Sequence, residues 1–179
     1  MRPGGSKEKG SEFERKVGRD LSLWLSRGRR SDLFRRTVLS GGQWTAAAQR
    51  QTQRGEPGDL GANHPAAFEF LDKFVIECKH WKSIDLIDVI WRGHDLYKAM
   101  VKVQKEADSV GRNWMLIARQ NLRPTLLFFP VPTEYDYEPP CSWHKLFNGT
   151  VYLVKFEDFL KEADPEGFLC QFPKEAHGQ

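Results

Sequence analysis

A mixed α/β domain is the fold class this sequence predicts, on three observations. An apolar stripe at helical spacing opens the chain: Phe13, Val17, Leu21, Trp24 and Leu25. A cleanly alternating run from Phe74 to Trp81 reads as a strand near the middle. Two more apolar runs, Trp114 to Ala118 and Thr125 to Phe129, come after a second helical stretch. Helix, strands, helix and strands in that order imply a sheet with helices packed on it.

Residues 1–9 read as a flexible tail of Gly, Lys and Glu. Ser11 with Glu14 three residues on forms a capping-box pattern, so a helix is expected to start at Ser11 and stop at Gly28. Phe34 to Leu39 suggests a short strand. Residues 40–58 show no period and are rich in Gln, Gly and Arg, the pattern of a long functional loop. Asp59 and Leu60 begin a strand, with Phe68 to Leu71 in the same strand or the next. Within Phe74 to Trp81, the side chains of Phe74, Ile76 and Cys78 point one way and those of Val75, Glu77 and Lys79 the other. Ser83 caps a helix to about Trp91, and Gly93 interrupts. A helix from Asp95 to Val110 then carries Tyr97, Met100, Val101, Gln104 and Ala107 along one side and ends at Gly111. A turn around Asn121 and Pro124 joins the next two strands. Residues 130–142 form an irregular, proline-rich excursion. Val151 to Phe156 is a last strand and Glu157 to Ala163 a last helix, with a frayed tail after Pro173. The expected organisation is one domain over 10–173, with a core at about 10–120, an extension of the sheet at about 121–173, and tails at 1–9 and 174–179.

With 179 residues, 40% hydrophobic and 28% charged, the chain suits a single soluble domain. No apolar run approaches the roughly 20 residues of a membrane helix. Three cysteines are too few and too odd for a disulfide framework, which fits a reducing cytoplasm, a host-cell cytoplasm included. No glycine-rich phosphate loop is present, so no nucleotide cofactor is expected. The net charge of +3 conceals an asymmetry: residues 1–60 carry 13 Lys/Arg against 7 Asp/Glu, and residues 130–179 carry 4 against 9. Arg27, Arg29, Arg30, Arg35 and Arg36 fall within ten residues, a cluster that suits phosphates as well as solvent.

The chemistry-bearing residues lie between the long loop and the alternating strand. Asp59 ends the loop, and Glu77 and Lys79, two apart, share a strand face. Two carboxylates from neighbouring strands make an oxygen-rich site of the kind hard cations such as magnesium or manganese prefer. The backbone carbonyl of Cys78 lies at the same edge and could add a ligand. A lysine beside them can hold water or steady charge on a phosphate, and metal-assisted phosphodiester hydrolysis needs these parts. A Glu-x-Lys on a strand is also a common solvent-facing pair. It gains meaning from its surroundings.

Gly58-Asp59 followed by Ile76-Glu77-Cys78-Lys79 resembles the PD-(D/E)XK nuclease motif. The run Lys9-Gly10-Ser11-Glu12-Phe13-Glu14-Arg15 is similar to the opening helix of archaeal-type Holliday-junction resolvases, and Arg36 through Ser40-Gly41-Gly42 to their strand-to-loop segment. The resemblance covers roughly residues 7–120. It implies a restriction-endonuclease-like core, a central mixed β-sheet flanked by helices, and a metal-dependent endonuclease acting on DNA, branched DNA first. It implies metal binding by Asp59 and Glu77, and Lys79 positioning water. Glu14 would assist through a second metal or a water, and Arg36, Ser40 and Gln104 would touch the DNA backbone. It further implies a homodimer, whose two-fold axis suits a four-way junction. Gly58 stands where the family often has proline, and the loop before it is longer. Other readings are a nuclease of the same core cutting duplex or flap DNA, a non-catalytic DNA-binding protein on that fold, and a small interaction domain.

Other constellations carry less. Cys141, His144, Cys170 and His177 are a candidate zinc set of irregular spacing. His80 lies on the face opposite Glu77, and His64 sits near the Asp59 loop. Trp44, in the polar loop, is the candidate to stack on a base or wedge a junction.

Overall fold

The computed structural model describes residues 5–37, 56–83, 95–132, 138–147 and 150–172, with side chains from residue 8 on. The first helix, α1 (Gly5–Leu25), buries Phe13, Val17, Leu21 and Trp24, the stripe the sequence shows. It begins well before Ser11, so Ser11 and Glu14 lie inside it and form no capping box. The chain leaves the helix through left-handed Arg27 and Gly28, at φ 53° and 82°, and the Gly28 N–H bonds the Leu23 carbonyl at 2.6 Å. Fully buried Ser22 ties the helix to the start of the first strand. Its hydroxyl donates to the Gly18 carbonyl and accepts from the N–H groups of Leu33 and Phe34, at 2.6, 3.0 and 3.2 Å.

Strand β1 (Phe34–Arg36) pairs antiparallel with β2 (Leu60–Ala62) in a small ribbon. A 3-10 turn at Pro65–Ala67, capped by the His64 ring on the Ala66 N–H, leads into helix α2 (Phe68–Lys73). The sequence places Phe68 to Leu71 in the strand that begins at Asp59 or in the next one, and the structure corrects this. The turn set up by His64 and Pro65 turns this segment helical instead. Phe70 is then buried and Phe68 is 55% exposed.

The main sheet has five strands in the order β3 (Phe74–Trp81), β4 (Asn113–Gln120), β5 (Thr125–Pro130), β7 (Val151–Lys155), β6 (Trp143–Leu146). β3 and β4 run parallel, with Glu77 opposite Leu116 and Lys79 opposite Ala118, and the other pairings are antiparallel. Helix α3 (Asp95–Asp108) lies between the parallel strands in sequence, as a parallel pair requires. Helices α4 (Phe156–Glu162) and α5 (Pro165–Cys170) close the described chain. β6 and α5 were not expected from the sequence, and Phe156 opens α4 instead of ending β7.

Two clusters of buried side chains pack on the sheet. One gathers α1, Phe70, Phe74, Ile76, Cys78, Met115, Ile117, Phe129, Tyr152, Phe159 and Phe168. The other gathers Val75, Leu116, Ala118 and Phe128 with the α3 residues Leu96, Ala99, Met100, Val103 and Ala107. Each fully buried Phe stabilises by about 1.5–3 kcal/mol through apolar burial. The α3 stripe is thus rotated from the expected one: Leu96, Ala99 and Val103 face inward, and Gln104 is exposed. The C-terminal helices belong to the first cluster, where Phe74 stacks on Phe168 at 5.5 Å and the Trp24 indole donates to the Ala163 carbonyl at 2.7 Å. Among the described residues no helix is long and apolar enough to cross a membrane.

Candidate active site

The free edge of β3 gathers the charges. Just after β1, Thr37 fastens the incoming chain: its hydroxyl donates to the Gly58 carbonyl at 2.7 Å and its N–H to the Asp59 carbonyl at 3.0 Å. The Asp59 N–H donates to the Ile76 carbonyl at 2.7 Å, which docks the segment on β3. That close approach explains the glycine before Asp59. Gly58 has φ +80°, and a Cβ there would sit 2.5 Å from the Ile76 carbonyl oxygen. Proline, locked near φ −65°, cannot adopt this conformation.

Docked in this way, the Asp59 carboxylate accepts the Cys78 N–H at 2.8 Å, and Asp59 is only 3% exposed. Glu77, with no exposed surface, is bonded from α3 by Lys102. Its Oε1 is ion-paired with the Lys79 ammonium and accepts from Lys102 Nζ at 2.8 Å. Its Oε2 accepts no hydrogen bond among the described residues. Lys79 Nζ also lies 4.0 Å from Asp59 Oδ2 and 3.5 Å from the Cys78 carbonyl oxygen. One ammonium therefore touches both carboxylate residues and the backbone between them. Burial, and then the neighbouring Glu77 charge, push the Asp59 carboxyl up to about 7, against the pull of Lys79 and the Cys78 N–H.

Asp59, Glu77 and Lys79 thus stand together as the sequence leads one to expect, with the Cys78 carbonyl at the same edge. Glu14 faces the site from α1 in an ion pair with Arg36 of β1. Its charge adds to the upward push on Asp59 and on the buried Cys78 thiol. Gln104 is exposed. Ser40, Trp44 and His177 lie outside the described residues, as do the expected helix from Ser83 to Trp91 and most of the loop before Gly58. His80 bonds the Asn121 side chain at 2.9 Å and packs its ring on Phe13, away from the carboxylates. His64 caps the 3-10 turn before α2. Cys141 is buried and unbridged, His144 and Cys170 are exposed.

Two residues were missed in the sequence: Lys102, and Glu106 one helical turn on, whose Oε1 lies 3.4 Å from Lys102 Nζ. Burial lifts the Glu106 carboxyl above its ordinary range, with Lys102 opposing and Glu77 adding to the lift. Burial also works against the Lys102 ammonium, but Glu77, Glu106 and Asp59 outweigh it and raise that group's pKa. The signal was available: Lys102 and Glu106 are four apart, beside the stripe of Ala99, Val103 and Ala107.

Among the described residues no group of three or more His, Cys, Asp or Glu converges as a ready-made metal cage. The donor set nevertheless suits a hard cation. Two buried carboxylates meet at one edge, one of their oxygens has no partner among the described residues, and burial and like charge raise the Asp59 carboxyl, conditions a dication relieves. Asp59, Glu77 and the Cys78 carbonyl are the groups that could hold it.

The family described as "Phage putative PDDEXK endonuclease" matches residues 5–167, from the first residue of α1 into α5. No curated protein and no solved structure matches the chain. The five-stranded mixed sheet with helices on it accords with a restriction-endonuclease-like fold, and nucleases of this kind generally use divalent metals. The match covers the sheet, the helices and the whole charged edge, and on it the chain belongs to this family of phage endonucleases of the PD-(D/E)XK type.

Proposed function

We propose that the protein is an endonuclease that hydrolyses DNA phosphodiester bonds with a divalent cation, magnesium or manganese, held by Asp59 and Glu77. The observation that carries this reading is the buried carboxylate pair at the β3 edge, with Glu77 Oε2 unpartnered among the described residues and Lys79 touching both residues. A dication held there would polarise the scissile phosphate and acidify the attacking water. Lys79 holds its ammonium where it can orient that water and balance charge growing on the phosphate oxygens. The Cys78 N–H fixes the Asp59 carboxylate, so one ligand is aimed before any substrate arrives. Glu14 would assist through a second metal or a water if Arg36, its ion-pair partner, turned to a phosphate. Ser40, Trp44 and Gln104 remain the proposed DNA contacts.

The similarity of Lys9 to Arg15 to the junction-resolvase helix makes four-way junctions the first branched substrate to offer. A homodimer is the assembly that would cut both strands symmetrically.

The test incubates the protein with magnesium or manganese and labelled single strand, duplex, flap and four-way junction, beside Glu77→Ala and Lys79→Ala. Metal-dependent cutting that both variants lose is the expected result. Symmetric nicking of the junction assigns a resolvase, and cutting of duplex or flap keeps the site and replaces the substrate. Binding without cleavage under either ion, or cleavage that survives Glu77→Ala, overturns the proposal.

A further inference from the structure

Glu77 Oε1 is held by two ammonium groups at once, and the second comes from a helix, not from the strand. Lys102 Nζ bonds it at 2.8 Å and also lies 3.4 Å from Glu106 Oε1. Glu106 is 8% exposed, and that oxygen accepts no hydrogen bond among the described residues. Lys102 therefore stands between two carboxylates, hydrogen-bonded to Glu77 and in a looser ion pair with Glu106. Its side chain is 35% exposed and ends in a flexible four-carbon stem, so the ammonium can change acceptors without moving the helix.

We infer that Lys102 is a placeholder cation, which neutralises Glu77 while no metal is bound and passes to Glu106 when a divalent cation takes Glu77. The inference rests on the reading that Asp59 and Glu77 form the cation site. A buried carboxylate without a counter-charge is strongly destabilising, so an enclosed metal site needs a positive charge before the metal arrives. An ammonium on the ligand's own oxygen then repels an incoming dication. Glu106 gives that ammonium somewhere to go, one turn along the same helix and close to the site.

The two residues then affect metal binding with opposite signs. Loss of Lys102 removes a competitor and strengthens binding. Loss of the Glu106 charge leaves Lys102 on Glu77 and weakens binding. A lysine that served only to pack α3 against the sheet would do the reverse of the first.

The experiment titrates the full chain with manganese at one pH, without nucleic acid, and counts free ion by electron paramagnetic resonance. Lys102→Met is expected to bind about 3- to 10-fold more tightly than wild type, and Glu106→Gln more weakly by a similar factor. Lys102→Arg, which keeps the charge, should return affinity towards wild type. In the Lys102→Met background the weakening by Glu106→Gln should shrink by more than half, because Glu106 acts through Lys102. Unchanged or weaker binding by Lys102→Met overturns the placeholder role, as does a Glu106→Gln effect of equal size in both backgrounds. Manganese affinity that survives Glu77→Gln overturns the metal-site reading itself, and the placeholder role falls with it.

Discussion

Towards α1, β3 presents Phe74, Ile76 and Cys78 to a core of aromatic and aliphatic side chains. Towards α3 it presents Val75 to a second apolar cluster, but two residues later that packing gives way to Glu77, Lys79, Lys102 and Glu106. The same eight residues thus build a dry interior on one side and a buried charge network on the other. The first face holds Phe74 among the rings of Phe70, Phe168 and Phe172, at 5.3, 5.5 and 4.8 Å. The difference teaches how a charged edge is kept in place. Taking carboxylates from water costs several kcal/mol per ion, and apolar packing on the opposite face offsets that while fixing the strand to which the carboxylates are attached.

The comparison breaks most sharply if the charged face proves dispensable. Glu77→Gln is expected to lower single-turnover cleavage by about 10³-fold or more, with a native circular-dichroism spectrum. Retained turnover would show that the charges on this face do no chemistry. Substitution on the other face should do the opposite. Phe74→Ala is expected to cost about 3–5 kcal/mol in urea denaturation and to leave manganese affinity within about twofold in the fraction that stays folded. A large loss of affinity without loss of stability would mean that the two faces are not separable. Gly58→Ala tests the join between them, because its Cβ would meet the Ile76 carbonyl at a left-handed φ. About 1–3 kcal/mol of stability should be lost, together with most of the metal affinity, since Asp59 is the next residue.

The last test concerns pH. With Asp59 pushed up to about 7 when folded and ordinary when unfolded, the folded chain binds this proton more tightly between about pH 4 and pH 7. Its contribution favours the fold at the acid end of that window and is lost as pH rises through it. Thermal melts of the metal-free protein should therefore show wild type losing stability relative to Asp59→Asn from about pH 4 to pH 7. Parallel curves for the two proteins would remove burial as the cause.

Legibility in the sequence divides along the same two faces. The α1 stripe and the alternation of β3 were legible because burial on one face imposes a period, and Glu77 and Lys79 were legible because they share a face of that strand, with Asp59 ahead of it in the chain. The start of α1 was misread: Ser11 with Glu14 imitates a helix cap, and only the fold shows that α1 begins earlier and that Glu14 pairs with Arg36. Phe68 and Phe70 imitate a strand because the spacing of two is visible, whereas the turn set by His64 and Pro65 acts through backbone geometry. Helix α5 had a start signal in Asp164-Pro165, where Asp164 accepts the Gly167 N–H at 2.8 Å. Six residues are too few for a period to announce the helix. Lys102 was passed over despite its spacing from Glu106, since a lysine on a helix ordinarily faces water.

The clamp made by Thr37 has a further consequence. By bonding the carbonyls of both Gly58 and Asp59, it brings together the two ends of everything between residues 37 and 58. Lengthening a segment whose ends are already joined adds only about 0.6 kcal/mol per doubling. By that measure the length of the intervening stretch is a weak constraint, and the clamp by itself keeps Asp59 in register with Cys78.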